Sequence, residues 1–420
     1  MFLKALDLRN LRSIERLRID FARADQGEGV RKCTFILGEN GAGKSTVLRA
    51  IGLMLAGSDA LPGLLVRPED WIRRGAAEAV IEGVLTSADG EERTVGLRLS
   101  AGQTTREVFE RNQESLELLD RALAHTPRNY PVFGYGTSRR LSRGGKGPTG
   151  REPSGHPRAQ ALATLFSVDA DLVGIEEWAI DLDYRLGSAG LQRVRETFQH
   201  LMPNLELREI DKQRRELLFD TPDGPVPLRL LSDGYQNVIA WCGDLLYRLN
   251  DTFDDYRRPL DARGLLLIDE IDLHLHPIWQ RELLGFLNAK LPHMQIVATT
   301  HSPLTAHEAG QGELYVLRRP SAAGAAVLEH YEGAPNRLLL PQLIASPVFG
   351  LDTLDSRQVQ EEKSELRDLK SKPRRSKRDD QRLRTLKASI QELPDPTRAT
   401  ATDLKVAELL RSIDAKLSSG

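Results

Sequence analysis

Apolar and polar positions alternate along Leu3–Leu8 and again along Arg16–Phe21, the period-two pattern of strands that bury one face. Asn10-Leu11-Arg12-Ser13 separates them, so the pair predicts an N-terminal hairpin. That hairpin is placed beside Thr34-Phe35-Ile36-Leu37, an unbroken apolar run that reads as a short strand buried on both faces. From Val47 to Leu55 the apolar spacing becomes helical. Alternation returns at Glu78–Leu85 and Arg93–Leu99 around an Asp89-Gly90 turn, predicting an antiparallel arm, and Val132–Gly136 reads as a further strand. Asp169 to about Leu201 is helical in pattern, with Trp178, Ile180, Leu182 and Leu186 as core positions. Strands follow at Leu205–Ile210 and Glu216–Asp220, then an Asp223-Gly224-Pro225 turn. A helix is predicted from Asn237, and two buried strands at Gly264–Ile268 and Gln295–Thr300.

After residue 340 the pattern gives way to charge. Between Arg357 and Lys387 basic residues outnumber acidic ones about two to one, and Pro373-Arg374-Arg375-Ser376-Lys377-Arg378 interrupts two helical stretches. With 420 residues the chain can bury a large core, and its formal charge of -2 gives no global case for nucleic acid. A basic surface would have to be local, as in the Gly-rich loop that carries Arg139, Arg140, Arg143 and Lys146. Cys33 and Cys242 read as separate reduced thiols. The first residues do not resemble a secretory leader, and no apolar stretch is long enough to span a bilayer, so a soluble cytoplasmic protein without a membrane partner is expected.

The chemistry concentrates at the ends of the buried strands. Gly38-Glu39-Asn40-Gly41-Ala42-Gly43-Lys44-Ser45, with Thr46, lies between a strand and a helix, which is the setting of a P-loop. Its glycines let backbone N–H groups turn around an anion, and the helix brings its positive end behind them. Lys44 would reach the β- and γ-phosphates and the Ser45 hydroxyl would ligate Mg²⁺. The strand Gly264–Ile268 ends in Asp269 and Glu270, one to hold the magnesium shell and the other to orient or deprotonate the attacking water. His301 closes the next buried strand, where an imidazole can sense the γ-phosphate. Leu231-Ser232-Asp233-Gly234-Tyr235-Gln236 opens a long helix, with Ser232 as N-cap, and makes a second anion-binding helix end. Asp181 and Asp183, two apart on a helix, do not share a face and read as solvated side chains rather than a metal site.

These motifs resemble, in order and spacing, the ABC-type heads of the RecF, SMC and OLD class within the AAA ATPases. Leu231 to Gln236 and Ile268 to Gln280 are most similar to the predicted ATPases of bacterial anti-phage defence, the group that includes the PtuA subunit of Septu-type systems. The resemblance implies an α/β P-loop fold with a mixed central sheet, an antiparallel arm, a helical insertion and a helical C-terminal tail. It divides the chain into an ATPase domain over 1–345 and a charged assembly or docking region over 346–420. Within the first lie a lobe of about 1–150, a helical and signature lobe of about 151–260, and a Walker B and His-switch part over 261–345. It implies ATP and Mg²⁺ as ligands, with ATP sandwiched between two heads so that Ser232 and Gly234 of one face the phosphate held by Lys44 of the other. A homodimer or higher oligomer would then control a separate effector, a nuclease or toxin. The alternatives are a DNA-binding repair ATPase and an ATP-bound scaffold that sequesters a toxic partner. Arg12 matches a position near the nucleotide. His276 stands where such heads usually carry Asp; with His274 it is assigned to a dimer interface or to ordering of the loop, in preference to the alternative of metal binding, since no further ligand cluster is nearby. No loop glutamine that would couple Mg²⁺ to the hinge between lobes is identifiable. No histidine follows His330, which argues against an HNH nuclease in the tail.

Overall fold

The computed structural model describes residues 2–391 except 23–28, 87–89, 124–129, 140–155, 189, 191, 193, 196–205, 222–223, 254–258, 322–323 and 352. The chain folds into two compact units, Met1–Asn336 and Arg337–Gly420. Of the sequence readings, Asp89, Arg140, Arg143, Lys146, Asp223 and the end of the 169–201 stretch lie outside the described residues.

The larger unit is built on two sheets. Four antiparallel strands, β1 (Phe2–Leu11), β2 (Ile14–Asp20), β4 (Glu78–Thr86) and β5 (Glu92–Ser100), form one sheet in the order β2-β1-β4-β5. The expected hairpin and the expected arm are therefore one structure. Alternation had shown which face each strand buries, and the pairing of β1 with β4 joins them. The hairpin does not flank the P-loop strand within a sheet, as the patterning had placed it. β3 (Cys33–Gly38) lies instead between β11 (Met294–Thr300) and β12 (Leu314–Arg318) in the second sheet.

That second sheet runs β13-β12-β3-β11-β10-β6, with β10 (Gly264–Ile268), β6 (Val132–Tyr135) and β13 (Val327–Tyr331) completing it. All its pairs are parallel except β12 with β13, so the central sheet is mixed. Every residue of β10 and β11 is buried, which is why they read as continuous apolar runs. Helix α1 (Lys44–Met54) lies between the sheets, touching β4 and β5 on one side and β3, β10 and β11 on the other. Most of its residues are buried for that reason, and Val47, Leu48, Ile51 and Leu53 share a core with Leu6, Leu8, Ile81, Leu97 and Val297.

Helix α2 (Ile175–Leu186) represents the predicted helical insertion. Trp178 is buried, but Leu186 is exposed and leaves the expected core, because it is the last residue of the helix before Gly187 turns the chain. Asp183 is not solvated; it is buried and Lys212 pairs with it at 2.6 Å. Strands β7 (Glu206–Asp211), β8 (Glu216–Thr221) and β9 (Gly224–Pro227) make a small antiparallel sheet just before the signature. Gly224 and Pro225, read as turn residues, belong to its third strand. Helix α3 (Asp233–Thr252) follows and is the longest of the described helices.

In the second unit, helices α4 (Arg357–Ser371) and α5 (Lys377–Gln391) form an antiparallel hairpin. Arg382 grips Glu365 with two bonds of 2.9 and 2.8 Å, and the Ser389 hydroxyl donates to Glu362. Ser376 and Asp379 cap the start of α5 reciprocally, which draws the Asp379 carboxyl down to about 2.

Candidate nucleotide site

The sheet order assembles the site. β3, β11 and β10 are neighbours running in parallel, so the P-loop, His301 and Asp269-Glu270 emerge at the same edge, where open α/β sheets bind ligands. Gly38 ends β3 against the next strand so closely that a Cβ there would lie 2.2 Å from the Leu317 carbonyl oxygen. Glu39, Asn40 and Gly41 form the exposed rim of the loop, whereas Ala42, Lys44 and Thr46 are buried and Ser45 is half-buried. Gly41 and Gly43 have φ values of 77° and 113°, a region that favours glycine. Gly43 is the N-cap of α1 and supplies no side chain to its free N–H groups. Those donors, with the helix dipole behind them, suit an anion.

Lys44 Nζ donates to the carbonyl oxygens of Gly38 at 2.8 Å and Glu39 at 3.0 Å. It also lies 2.6 Å from Nε2 of His301. An ammonium has no acceptor, so this nitrogen of His301 must be the unprotonated one. Burial and the Lys44 charge both lower the His301 pKa, in agreement with a neutral ring. Burial lowers that of Lys44 as well, against the opposing pull of Asp269, Glu270 and Asp272. Glu270 Oε1 stands 3.7 Å from the same histidine nitrogen.

Asp269 is buried at the end of β10, and one of its oxygens accepts the Thr299 hydroxyl at 2.7 Å. The Glu270 backbone N–H donates to that hydroxyl oxygen, also at 2.7 Å. Glu270 itself has φ 48°, left-handed for a residue with a Cβ. Ser45 and Asp269 offer oxygen ligands of the hard type that magnesium takes, and the phosphates of a nucleotide would supply others. Among the described residues there is no group of three or more His, Cys, Asp and Glu side chains able to hold a metal unaided.

Ser232 has the extended backbone of an N-cap, as predicted, yet its hydroxyl makes no capping bond to α3 and is exposed. Gln236 braces the preceding turn by donating to the Leu231 carbonyl at 2.6 Å. Asp233 is exposed, and Tyr235 packs edge-on against Trp279. Gly234 meets the loop after Glu270: a Cβ on it would lie 2.7 Å from the His274 carbonyl oxygen. His274 is exposed, with φ 62°. His276 caps the helix that follows that loop, Pro277–Lys290, its Nδ1 accepting the Ile278 N–H at 3.4 Å.

Arg12 sits at the β1–β2 turn with φ 52°, its guanidinium 4.2 Å from the centre of the Trp71 ring and its Nε donating to the Asp70 carbonyl. Next to it the Ser13 hydroxyl reaches the carbonyl of Ala42 in the P-loop at 3.4 Å.

Arg139 requires a correction. It belongs to no exposed basic groove: it is 6% exposed, and its side chain runs inward to the carbonyls of Asp269 and Glu270. Its charged neighbours in sequence had suggested a surface. Thr299, Asp272 and Gln280 also carry parts of the site that sequence reading passed over. Burial raises the Asp272 pKa, while Gln280 accepts the hydroxyl of Ser302 and donates to the Leu275 carbonyl, tying the loop after Glu270 to the end of β11. A buried-strand threonine or a glutamine in the first turn of a helix carries no local signal of such a role.

A family model described as "AAA domain, putative AbiEii toxin, Type IV TA system" matches residues 33–306. The chain belongs to this AAA family. Its P-loop, paired carboxylates and histidine all fall in that span. The Septu protein PtuA of Bacillus mycoides is 28% identical over 356 residues, 84% of this chain and 45% of that protein. "Retron Ec83 probable ATPase" of Escherichia coli is 30% identical over 135 residues, 32% of this chain and 25% of its own length. The chain thus spans less than half the length of these relatives. An SMC head bound to the C-terminal winged-helix domain of ScpA aligns with 79% of the chain and 98% of its own, at 16% identity and a TM-score of 0.48. No helix among the described residues is long and apolar enough to cross a membrane.

Proposed function

We propose that this protein binds and hydrolyses ATP with Mg²⁺ and serves as the sensor or regulator ATPase of a prokaryotic anti-phage defence system. The observation that carries the ATPase reading is the meeting of Lys44, His301 and Glu270 within 2.6 and 3.7 Å at the edge where the P-loop helix begins. The relatives named for Septu and retron systems support the defence role.

On nucleotide entry, Lys44 would exchange its bonds to Gly38, Glu39 and His301 for phosphate oxygens. His301, freed of the ammonium, would turn a ring N–H toward the γ-phosphate. Glu270 would accept a proton from the attacking water or orient it. Magnesium held by Ser45 and Asp269 would offset the charge that develops between the β- and γ-phosphates. The exposed Ser232 hydroxyl and the helix end behind it suit the γ-phosphate on a second head, so two subunits would close on ATP and open after hydrolysis. Closure would govern a separate effector, a nuclease or toxin.

The test is native mass spectrometry and ATP turnover of the full chain. Glu270→Gln is expected to retain ATP and accumulate as a closed dimer, and Lys44→Ala to lose nucleotide affinity. A Glu270→Gln protein that stays monomeric with ATP and turns over at the parental rate would refute the sandwich. Steeply salt-dependent binding to duplex DNA by a homodimer without a co-purifying effector would favour the repair reading.

A further inference from the structure

We propose that Arg139 is a positioning residue that couples the signature helix α3 to Glu270, so that the pose of one sets the geometry of the other. The inference rests on the ATPase reading above and deepens it.

The guanidinium joins three separate stretches of chain. Its Nε donates to the carbonyl of Gly136 at 2.8 Å, which fixes it to the loop leaving β6. One terminal nitrogen donates to Oδ1 of Asn237 in the first turns of α3, at 3.2 Å. The other donates to the carbonyl oxygens of Asp269 and, at 2.9 Å, of Glu270. No lysine could serve all of these at once, because only the planar fork presents donors in several fixed directions. The group also lies 5.8 Å from the ring centre of Trp241, one turn further along α3. Burial draws its pKa down to about 10, which still leaves it charged at neutral pH. A buried cation spent on backbone carbonyls and one amide oxygen, with no carboxylate bonded directly among the described residues, is an expensive way to fill space.

What those carbonyls hold is the catalytic carboxylate. Glu270 is kept in a left-handed backbone pose from both sides, its N–H by Thr299 and its C=O by Arg139. Releasing the carbonyl lets residue 270 relax toward negative φ, and its carboxylate swings with the backbone away from His301.

Helix α3 is anchored further along its length. Tyr135 of β6 donates its hydroxyl to Asp244 at 2.9 Å, and Arg248 and the Val173 N–H also bond that buried carboxylate. A push on the helix start at Ser232 and Gly234 therefore pivots the helix about Asp244. Asn237, between the pivot and the end, passes the movement to Arg139 and so to Glu270. A ligand or second subunit seated on the signature would be reported to the hydrolytic residue without touching it.

The experiment compares the parent, Asn237→Ala, Arg139→Lys and the double variant as full chains. It measures ATP affinity with a fluorescent ATP analogue, steady-state kcat and KM for Mg-ATP, and thermal unfolding. Asn237→Ala leaves Arg139 on Glu270 but cuts its link to the helix. It is expected to lower kcat about tenfold or more with ATP affinity within about twofold of parent. Arg139→Lys should lower kcat likewise, and the double variant should be no slower than the slower single, since both cut one connection. Parental kcat in Asn237→Ala, or effects that multiply in the double, would overturn the coupling. A loss explained by weaker ATP binding or by unfolding at assay temperature would also overturn it, leaving Arg139 a structural residue. A parent without Lys44-dependent ATP hydrolysis would remove the ATPase reading itself, and this proposal with it. Should Arg139→Lys fail to fold, Asn237→Ala decides the matter.

Discussion

Gly234→Ala probes the join between the signature helix and the loop after Glu270. A Cβ at this position would stand 2.7 Å from the His274 carbonyl oxygen, while ordinary contact begins at 3.4 Å. The two segments must therefore separate by about 0.7 Å, or the loop must turn its carbonyl away. Gly234 has no left-handed backbone that alanine would strain, so the contact alone sets the cost. Overpacking of this kind costs about 1–3 kcal/mol, which in a unit of this size lowers the melting temperature by only a few degrees. Function should suffer more, because misplacing catalytic groups by about 1 Å can cost on the order of a hundredfold in rate. We expect kcat to fall by about ten- to a hundredfold, with ATP affinity near parental because the P-loop is untouched. Steady-state turnover, titration with a fluorescent ATP analogue and a thermal melt on one preparation provide the comparison. Parental turnover in a folded Gly234→Ala protein would show that the close approach of helix and loop has no part in hydrolysis.

Two other outcomes follow from the hydrogen bonds and charges of the larger unit. Without nucleotide, His301 should titrate below 6.5 when followed by its ring carbon resonances, and its midpoint should rise once the γ-phosphate of a non-hydrolysable ATP analogue offsets Lys44. Because the folded state favours the neutral ring, this histidine contributes stability above its unfolded pKa, and the contribution is lost as pH falls through the lowered folded value; a midpoint at or above 6.5 in the free protein would contradict the Lys44–His301 contact. Tyr135→Phe keeps the ring beside Trp241 but takes the hydroxyl from Asp244, which is 1% exposed. About 1–3 kcal/mol should be lost in denaturant unfolding, and an unchanged midpoint would mean that Arg248 and the Val173 N–H satisfy the carboxylate alone.

Much of the site was legible in the residues because its chemistry is local. A phosphate cradle needs glycines, a lysine and a hydroxyl within a few positions, so Gly38 to Thr46 are recognisable wherever the chain goes. Asp269, Glu270 and His301 stand at the ends of runs apolar enough to be strands buried on both faces, and the family model spans the same motifs. Arg139 shows the limit. Arginine beside Arg140, Arg143 and Lys146 reads as surface, and its burial depends on β6 pairing with β10 and on α3 bringing Asn237 and Trp241 against it.

By itself the sequence showed the strands β1–β8, β10 and β11, the face that the alternating ones bury, and a pattern suited to phosphate at Gly38–Thr46, since spacing and residue type suffice for these; β12 and β13 carried no such signal. Tertiary structure alone decided that hairpin and arm share a sheet, that β3, β11 and β10 lie side by side, that Leu186 is exposed and that Arg139 bridges the helix at Asn237 and the backbone carbonyls of Asp269 and Glu270. The physical reason is that strand partners and buried charges are chosen by contacts between residues far apart in the chain. Alternation tells a strand which side to bury and says nothing about which neighbour will cover it.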